Sequence, residues 1–175
     1  MGWKNLKLLN PSIGLEAMTN IIYEIDLEYR DFLYLAEKGI NILKNILKKN
    51  PNYYASIVCP LRGGFYFTDY VARRIPLSVH YLYVSSYGNE KIQKDFKIHF
   101  LPELKPHQRY LICDDILATG NTIKKILELY PNSKFEALVL YKHKNRDYPI
   151  KHYAIREVDS SVWVNFFWEK TNPIE

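Results

Sequence analysis

Residues 110–122 read Tyr-Leu-Ile-Cys-Asp-Asp-Ile-Leu-Ala-Thr-Gly-Asn-Thr, an order of residue types that predicts a strand, a tight turn and the first turn of a helix. An apolar run feeds two adjacent carboxylates, Asp114 and Asp115, and Thr119-Gly120-Asn121-Thr122 then opens a helical pattern. A helix N-terminus is an anion site, because its unpaired N–H groups and its dipole both favour negative charge. Carboxylates beside it accept hydrogen bonds from hydroxyls or reach a hard cation such as Mg²⁺. A ribose 5-phosphate satisfies both ends of this spacing, with its phosphate on the helix and its vicinal diol on the acids. Helix capping alone accounts for Thr119 or Thr122. It does not account for two acids at the end of the strand.

Outward from this stretch the chain alternates strand and helix. Phe32, Ala36, Ile40, Leu43 and Leu47 recur at three and four residues, which predicts an amphipathic helix over 27–49, ended by Asn50-Pro51. A short apolar strand is expected at 54–59. The turn Pro60-Leu61-Arg62-Gly63-Gly64 follows it, then a helix over 65–74. Further strands are expected at 79–85, 96–100, 109–113, 135–141, 152–155 and 162–167, with a helix over 121–129 broken by Tyr130-Pro131-Asn132. Residues 143–148 read as a charged loop. Such alternation predicts a mainly parallel sheet flanked by helices, an α/β domain. Ligands of these sheets sit at the carboxyl ends of the strands. Arg62, Ser86, Asp114 and Lys142 all fall just beyond predicted strands and are expected to converge there. Residues 1–22 show weak periodicity and read as an N-terminal arm, packed irregularly or against a second subunit. Residues 23–175 read as one domain.

Bulk properties narrow the classes. The 175 residues carry 25% charged and 47% hydrophobic side chains, which suits one folded domain and argues against disorder. The net charge of +5 fits a solubilising surface, and also attraction of polyanionic phosphates into a cleft. Nucleic-acid binding ranks behind both, because no zinc-finger, RNP or basic-helix pattern is present. Cys59 and Cys113 lie in apolar runs, and no Cys-x-x-Cys pair occurs. Buried, reduced thiols and a cytoplasmic location are therefore expected. The five histidines show no metal-ligand spacing. No signal-peptide pattern and no bilayer-length apolar stretch is seen, so no membrane role is expected.

The stretch at 110–122 resembles the phosphoribosyl pyrophosphate signature of type I phosphoribosyltransferases: apolar strand, two acids, a short link, Thr-Gly-x-Thr. The resemblance implies the type I fold with a small C-terminal hood. It implies Asp114 and Asp115 as catalytic groups on the ribose diol, and Ala118 to Thr122 (with Thr119, Gly120 and Asn121) as the 5-phosphate site. Arg62 and Gly63 correspond to the family's pyrophosphate loop, which often contains a cis peptide before the Arg-like position. Ser86 and Tyr87 begin a polar stretch similar to the mobile loop of 6-oxopurine members.

The C-terminal half, through Leu140-Tyr141-Lys142 and Val162-Trp163-Val164-Asn165-Phe166-Phe167-Trp168-Glu169, resembles bacterial xanthine-guanine phosphoribosyltransferases. The likeness spans about 27–169. It implies that Lys142 donates to a purine O6, Trp163 stacks on the base, and Val164 offers main-chain groups to the purine edge. It also implies Asp114 and Asp115 as Mg²⁺ ligands with Glu169 helping to hold a second Mg²⁺, a purine base and phosphoribosyl pyrophosphate as substrates, and a homodimer or homotetramer. One position departs from the pattern. Guanine- and hypoxanthine-type members carry a third Asp near purine N7 where this chain has Ala118, whereas adenine-type members commonly have Ala-Thr-Gly. Three outcomes stay open: a transferase of altered base preference, a slow 6-oxopurine transferase, and a ligand-binding regulator. Lys142 suits a 6-oxo group better than an amino group.

Overall fold

The computed structural model describes residues 6–8, 23–87 and 95–169. A six-stranded sheet forms the centre. It contains β3 (Ser56–Leu61), β4 (Val79–Tyr87), β5 (Asp95–Phe100), β6 (Arg109–Leu117), β7 (Lys134–His143) and β8 (Lys151–Val158) in the order β5-β4-β3-β6-β7-β8. Every pair is parallel except β4 with β5. A second, three-stranded sheet joins β1 (Leu6–Leu8), β2 (Tyr23–Leu27) and β9 (Val162–Phe166), with β2 and β9 parallel. The helices are α1 (Tyr29–Lys49), α2 (Phe65–Ala72) and α3 (Asn121–Leu129).

The apolar periodicity of α1 buries Phe32, Leu35, Ala36, Ile40 and Leu43. These side chains pack with α2 and one face of the sheet, through Phe67, Leu111 and Leu138. Ile123 and Ile126 of α3 pack on the other face with Val58, Ile112 and Val139. The strands are near-continuous apolar runs because both faces are covered. The expected mainly parallel, helix-flanked α/β sheet is what forms.

Chain order reverses between β3 and β6. From β3 the sheet grows one way through β4 and β5, and from β6 the other way through β7 and β8. This is the switch point at which open α/β sheets bind ligands. The pairing of β3 with β6 ends at Val58↔Ile112, while β6 stays paired with β7 to Leu117↔Lys142. That longer ladder corrects one expectation. Asp114 and Lys142 lie inside the last residues of their strands rather than beyond them, and Ser86 lies inside β4.

At the opposite, amino end, Glu136 is buried and accepts hydrogen bonds from Tyr53, Tyr54 and Tyr153 at 2.8, 2.7 and 3.2 Å. Burial pushes its carboxyl up, but those hydroxyls and the Lys151 charge outweigh that and hold it below the usual range.

Two elements were not foreseen. Tyr23–Leu27 is a strand that ties the start of α1 to the C-terminal hood, and Leu6–Leu8 adds to its other edge. The rest of the N-terminal arm and the tip of the loop expected to be mobile, 88–94, lie outside the described residues.

Candidate active site

The turn after β3 and the end of β6 meet at the switch point. A methyl on Gly63 would collide with Asp115 Oδ2, and one on Gly64 would lie 2.8 Å from both Asp114 Oδ1 and the Cys113 carbonyl. The Gly-Gly pair is therefore required by the two carboxylates opposite it, since any side chain would displace them. Thr68, fully buried on α2, donates to the Cys113 carbonyl at 2.9 Å. This bond clamps the turn and its helix to the strand immediately before the acids. The Leu61–Arg62 peptide is cis, as the family resemblance anticipated. Arg62 is exposed at the rim.

Asp115 is 7% exposed and Asp114 partly buried. Asp114 Oδ1 accepts from the Asp115 N–H at 3.0 Å, and Asp115 Oδ1 from the Ile116 N–H at 2.6 Å. Burial pushes the Asp115 carboxyl up to about 6; the Ile116 N–H resists this, and the Glu169 charge adds to it. Burial pushes Asp114 well above the usual range, and the neighbouring Asp115 adds to that. Two acids with raised affinity for protons, at the end of a strand and against a glycine turn, form a place where a cation or hydroxyl donors would be welcomed.

Beyond the acids the chain turns into α3. Gly120 stands at the N-cap with φ 76°, a left-handed conformation that favours glycine, and no side chain caps the helix. Thr119 Oγ1 lies 3.4 Å from the Asn121 N–H. Thr119 Oγ1 thus takes up the Asn121 N–H through a long bond, and the next N–H groups of α3 remain to face the turn as anion donors.

The residues expected to meet a base come from two strands, β7 and β9. Lys142 Nζ donates to Glu157 Oε1 at 2.9 Å across the β7–β8 ladder and lies 3.5 Å from His152 Nε2. Trp163 is 60% exposed on β9, so its ring is not a core residue. Val164 is buried. The Tyr23 N–H donates to the Ser161 carbonyl. In a parallel ladder of the Tyr23↔Val162 register, β2 then engages the main-chain groups of Ser161, Trp163 and Asn165 and leaves those of Val164 facing away.

Trp168 is held by stacking between Tyr66 and Phe166, with centroids 5.3 and 4.9 Å away. This fixes the short 3₁₀ turn Phe167–Glu169 over α2. Burial raises the Glu169 carboxyl, against the pull of the Phe166 N–H and of the Arg62 guanidinium. Glu169 thus lies within electrostatic reach of both Asp115 and Arg62. Ser86 and Tyr87 end β4, paired with Phe96 and Asp95.

Among the described residues no three His, Cys, Asp or Glu side chains converge into a metal cage. The donor set nonetheless fits Mg²⁺, which typically takes one or two carboxylates and fills its remaining positions with water and substrate phosphate oxygens. Both cysteines are buried and free, and burial pushes both thiols up. No helix among the described residues is long and apolar enough to cross a membrane.

Four neighbours of the site were not singled out from sequence: Thr68, Tyr148, His152 and Glu157. Tyr148 sits in the expected charged loop, yet its hydroxyl stands within donating distance of two carbonyls, those of Leu117 and Ala118, at 2.7 and 2.9 Å. A long-range contact from a loop leaves no periodic signal. Glu157 alone had one available, since it follows from pairing β8 with β7.

Residues 30–170 match the family model described as phosphoribosyl transferase domain. The xanthine-guanine phosphoribosyltransferase of Nitratidesulfovibrio vulgaris strain DP4 is 30% identical over 125 residues, 71% of this chain and 73% of that relative. The solved Helicobacter pylori xanthine-guanine-hypoxanthine phosphoribosyltransferase superposes with a TM-score of 0.66 at 24% identity, covering 83% of this chain and 94% of that one. A hypoxanthine phosphoribosyltransferase from Staphylococcus aureus superposes at 0.53 with 27% identity over 71% of this chain and 74% of its own. With its carboxylate pair, glycine turn and helix N-terminus gathered at the sheet's switch point, the chain belongs to the phosphoribosyl transferase family, enzymes of glycosyl transfer.

Proposed function

We propose that this chain transfers the 5-phosphoribosyl group of phosphoribosyl pyrophosphate to N9 of a 6-oxopurine, releasing pyrophosphate. The observation that carries the reading is the Asp114–Asp115 pair, the second of them buried, followed by the N-terminus of α3, whose N-cap is a glycine. The 5-phosphate rests on the N–H groups and hydroxyls of 119–122. The ribose diol donates to Asp114 and Asp115. Pyrophosphate lies against Arg62 and the main chain of Gly63. Asp114 and Asp115 would hold Mg²⁺ together with phosphate oxygens, Glu169 would help to hold a second, and the bound ions would supply neutralisation of the departing charge. As the leaving group departs, positive charge grows at the ribose C1, and the carboxylates below it favour that charge.

The purine stacks on Trp163, takes Lys142 at O6 and meets the main chain of Val164 with its edge. Lys142 must turn from Glu157 towards the base, and that ion pair holds it in readiness. The names of the relatives, xanthine-guanine and hypoxanthine transferases, agree with a 6-oxo group. Ala118 favours a second reading, in which adenine is preferred or transfer is weak. A homo-oligomer and a cytoplasmic location belong to this proposal as well.

The test is pyrophosphate release from phosphoribosyl pyrophosphate and Mg²⁺ with guanine, xanthine, hypoxanthine, adenine or no base. Turnover with a 6-oxopurine, lost selectively in Lys142→Ala, is expected. Turnover with adenine alone refutes the base assignment. Binding without release by any base refutes transfer.

A further inference from the structure

We propose that Tyr148 is a positioning residue that braces the turn between β6 and α3 and ties it to Lys142. The inference rests on the reading of that turn as the 5-phosphate site. After Leu117 the chain leaves the sheet, so the carbonyls of Leu117 and Ala118 need partners beyond the ladder. The Tyr148 hydroxyl supplies one, 2.7 and 2.9 Å from the two oxygens. The same ring closes on Gly120, where an added Cβ would lie 3.1 Å from Tyr148 Cδ1. One side chain therefore holds both ends of the turn, the exit from the strand and the left-handed residue that starts α3. A turn ordered before substrate arrives spares the ligand the entropy of ordering it.

The other side of the ring leads to the base-side residues. Tyr148 meets His152 edge-on, with centroids 5.4 Å apart. His152 Nδ1 lies 3.2 Å from the Ile150 carbonyl. An oxygen there can only accept, so Nδ1 carries the proton and Nε2 is left facing Lys142 Nζ at 3.5 Å. Tyr148 thus stands between the turn and the lysine's surroundings. A displaced ring would disturb both.

The test uses the full chain and the variants Tyr148→Phe and Tyr148→Leu, with two readouts. Amide hydrogen exchange of 118–123 is measured without ligand, and kcat and KM for phosphoribosyl pyrophosphate are measured with guanine. Tyr148→Phe keeps the ring and loses one hydrogen bond, so exchange in the turn and KM should both rise about two- to tenfold with kcat nearly kept. Tyr148→Leu should raise both further and also raise KM for guanine. Unchanged exchange at 118–123 in both variants overturns the brace, whether or not the wild type turns over. Exchange that quickens equally along the whole chain overturns it too, because the residue would then serve only general stability. If the wild type neither binds nor uses phosphoribosyl pyrophosphate, the transferase reading fails and the substrate half of this proposal fails with it. The exchange data alone then decide the brace.

Discussion

Asp115→Asn should stabilise the fold above neutral pH, and the gain should vanish in acid. The Asp115 carboxyl is pushed from its ordinary 3.8 up to about 6, chiefly by burial. As pH rises between those two values, the unfolded chain gives up its proton before the folded chain does, so stability falls through this window. Above pH 7 the whole penalty is present. The gap corresponds to about 3 kcal/mol, an upper figure because the two acids titrate together. Asparagine keeps an oxygen for the Ile116 N–H and removes the buried charge, but its amide must find an acceptor beside Gly63, which trims the gain. An increase of about 1–3 kcal/mol at pH 8 is expected, or about 2–12 °C in Tm for a chain of this size. Urea unfolding of both proteins from pH 4 to pH 8 measures it. A variant less stable than wild type at pH 8, or a difference constant across the range, would refute the claim that the carboxylate is held at a cost. Turnover should fall sharply in the same variant, so stability and activity move in opposite directions. Full turnover would remove Asp115 from the diol.

Three further perturbations separate the parts of the site. Gly63→Ala drives a methyl into Asp115 Oδ2; a loss of about 1–3 kcal/mol in urea unfolding, together with a steep fall in pyrophosphate release, is expected, and wild-type values in both would contradict the packing described. Trp163→Ala removes an exposed ring, so stability should change by less than about 0.5 kcal/mol. Base stacking is worth about 1–3 kcal/mol, so KM for the purine should rise about 5- to 150-fold while KM for phosphoribosyl pyrophosphate holds; equal changes in the two would argue against stacking. Glu136→Gln weakens the acceptor of three tyrosine hydroxyls and should cost about 1–3 kcal/mol at pH 7. The native carboxyl is held below its usual range, so its contribution is lost as pH falls, and the difference between the two proteins should close in acid rather than widen.

The strand–turn–helix at 110–122 was legible because three short-range signals coincide there: an apolar run, adjacent acids, and Thr119-Gly120-Asn121-Thr122 opening a helical pattern. Helix α1 was legible from its stripe, and its N-terminus fell two residues beyond the predicted start because Leu27 belongs to β2. β2 itself escaped notice. It is five residues long, and its partner β9 stands at the far end of the chain, so nothing local marks it. The same distance hides Thr68 and Tyr148, whose roles are single hydrogen bonds to backbone carbonyls of β6 and the turn after it. Their side chains carry no pattern, only a position that the fold creates.

Ala118 shows how the two kinds of information meet. Sequence marks it as the place of an absent carboxylate, and the fold adds what surrounds it. Its carbonyl is engaged by Tyr148, and Leu117 before it is buried and paired with Lys142 on β7. Lys142 in turn is paired with Glu157. Glu157, half exposed on the neighbouring strand, compensates the lysine's charge whatever residue stands at 118, so Ala118 leaves no lysine unpaired there.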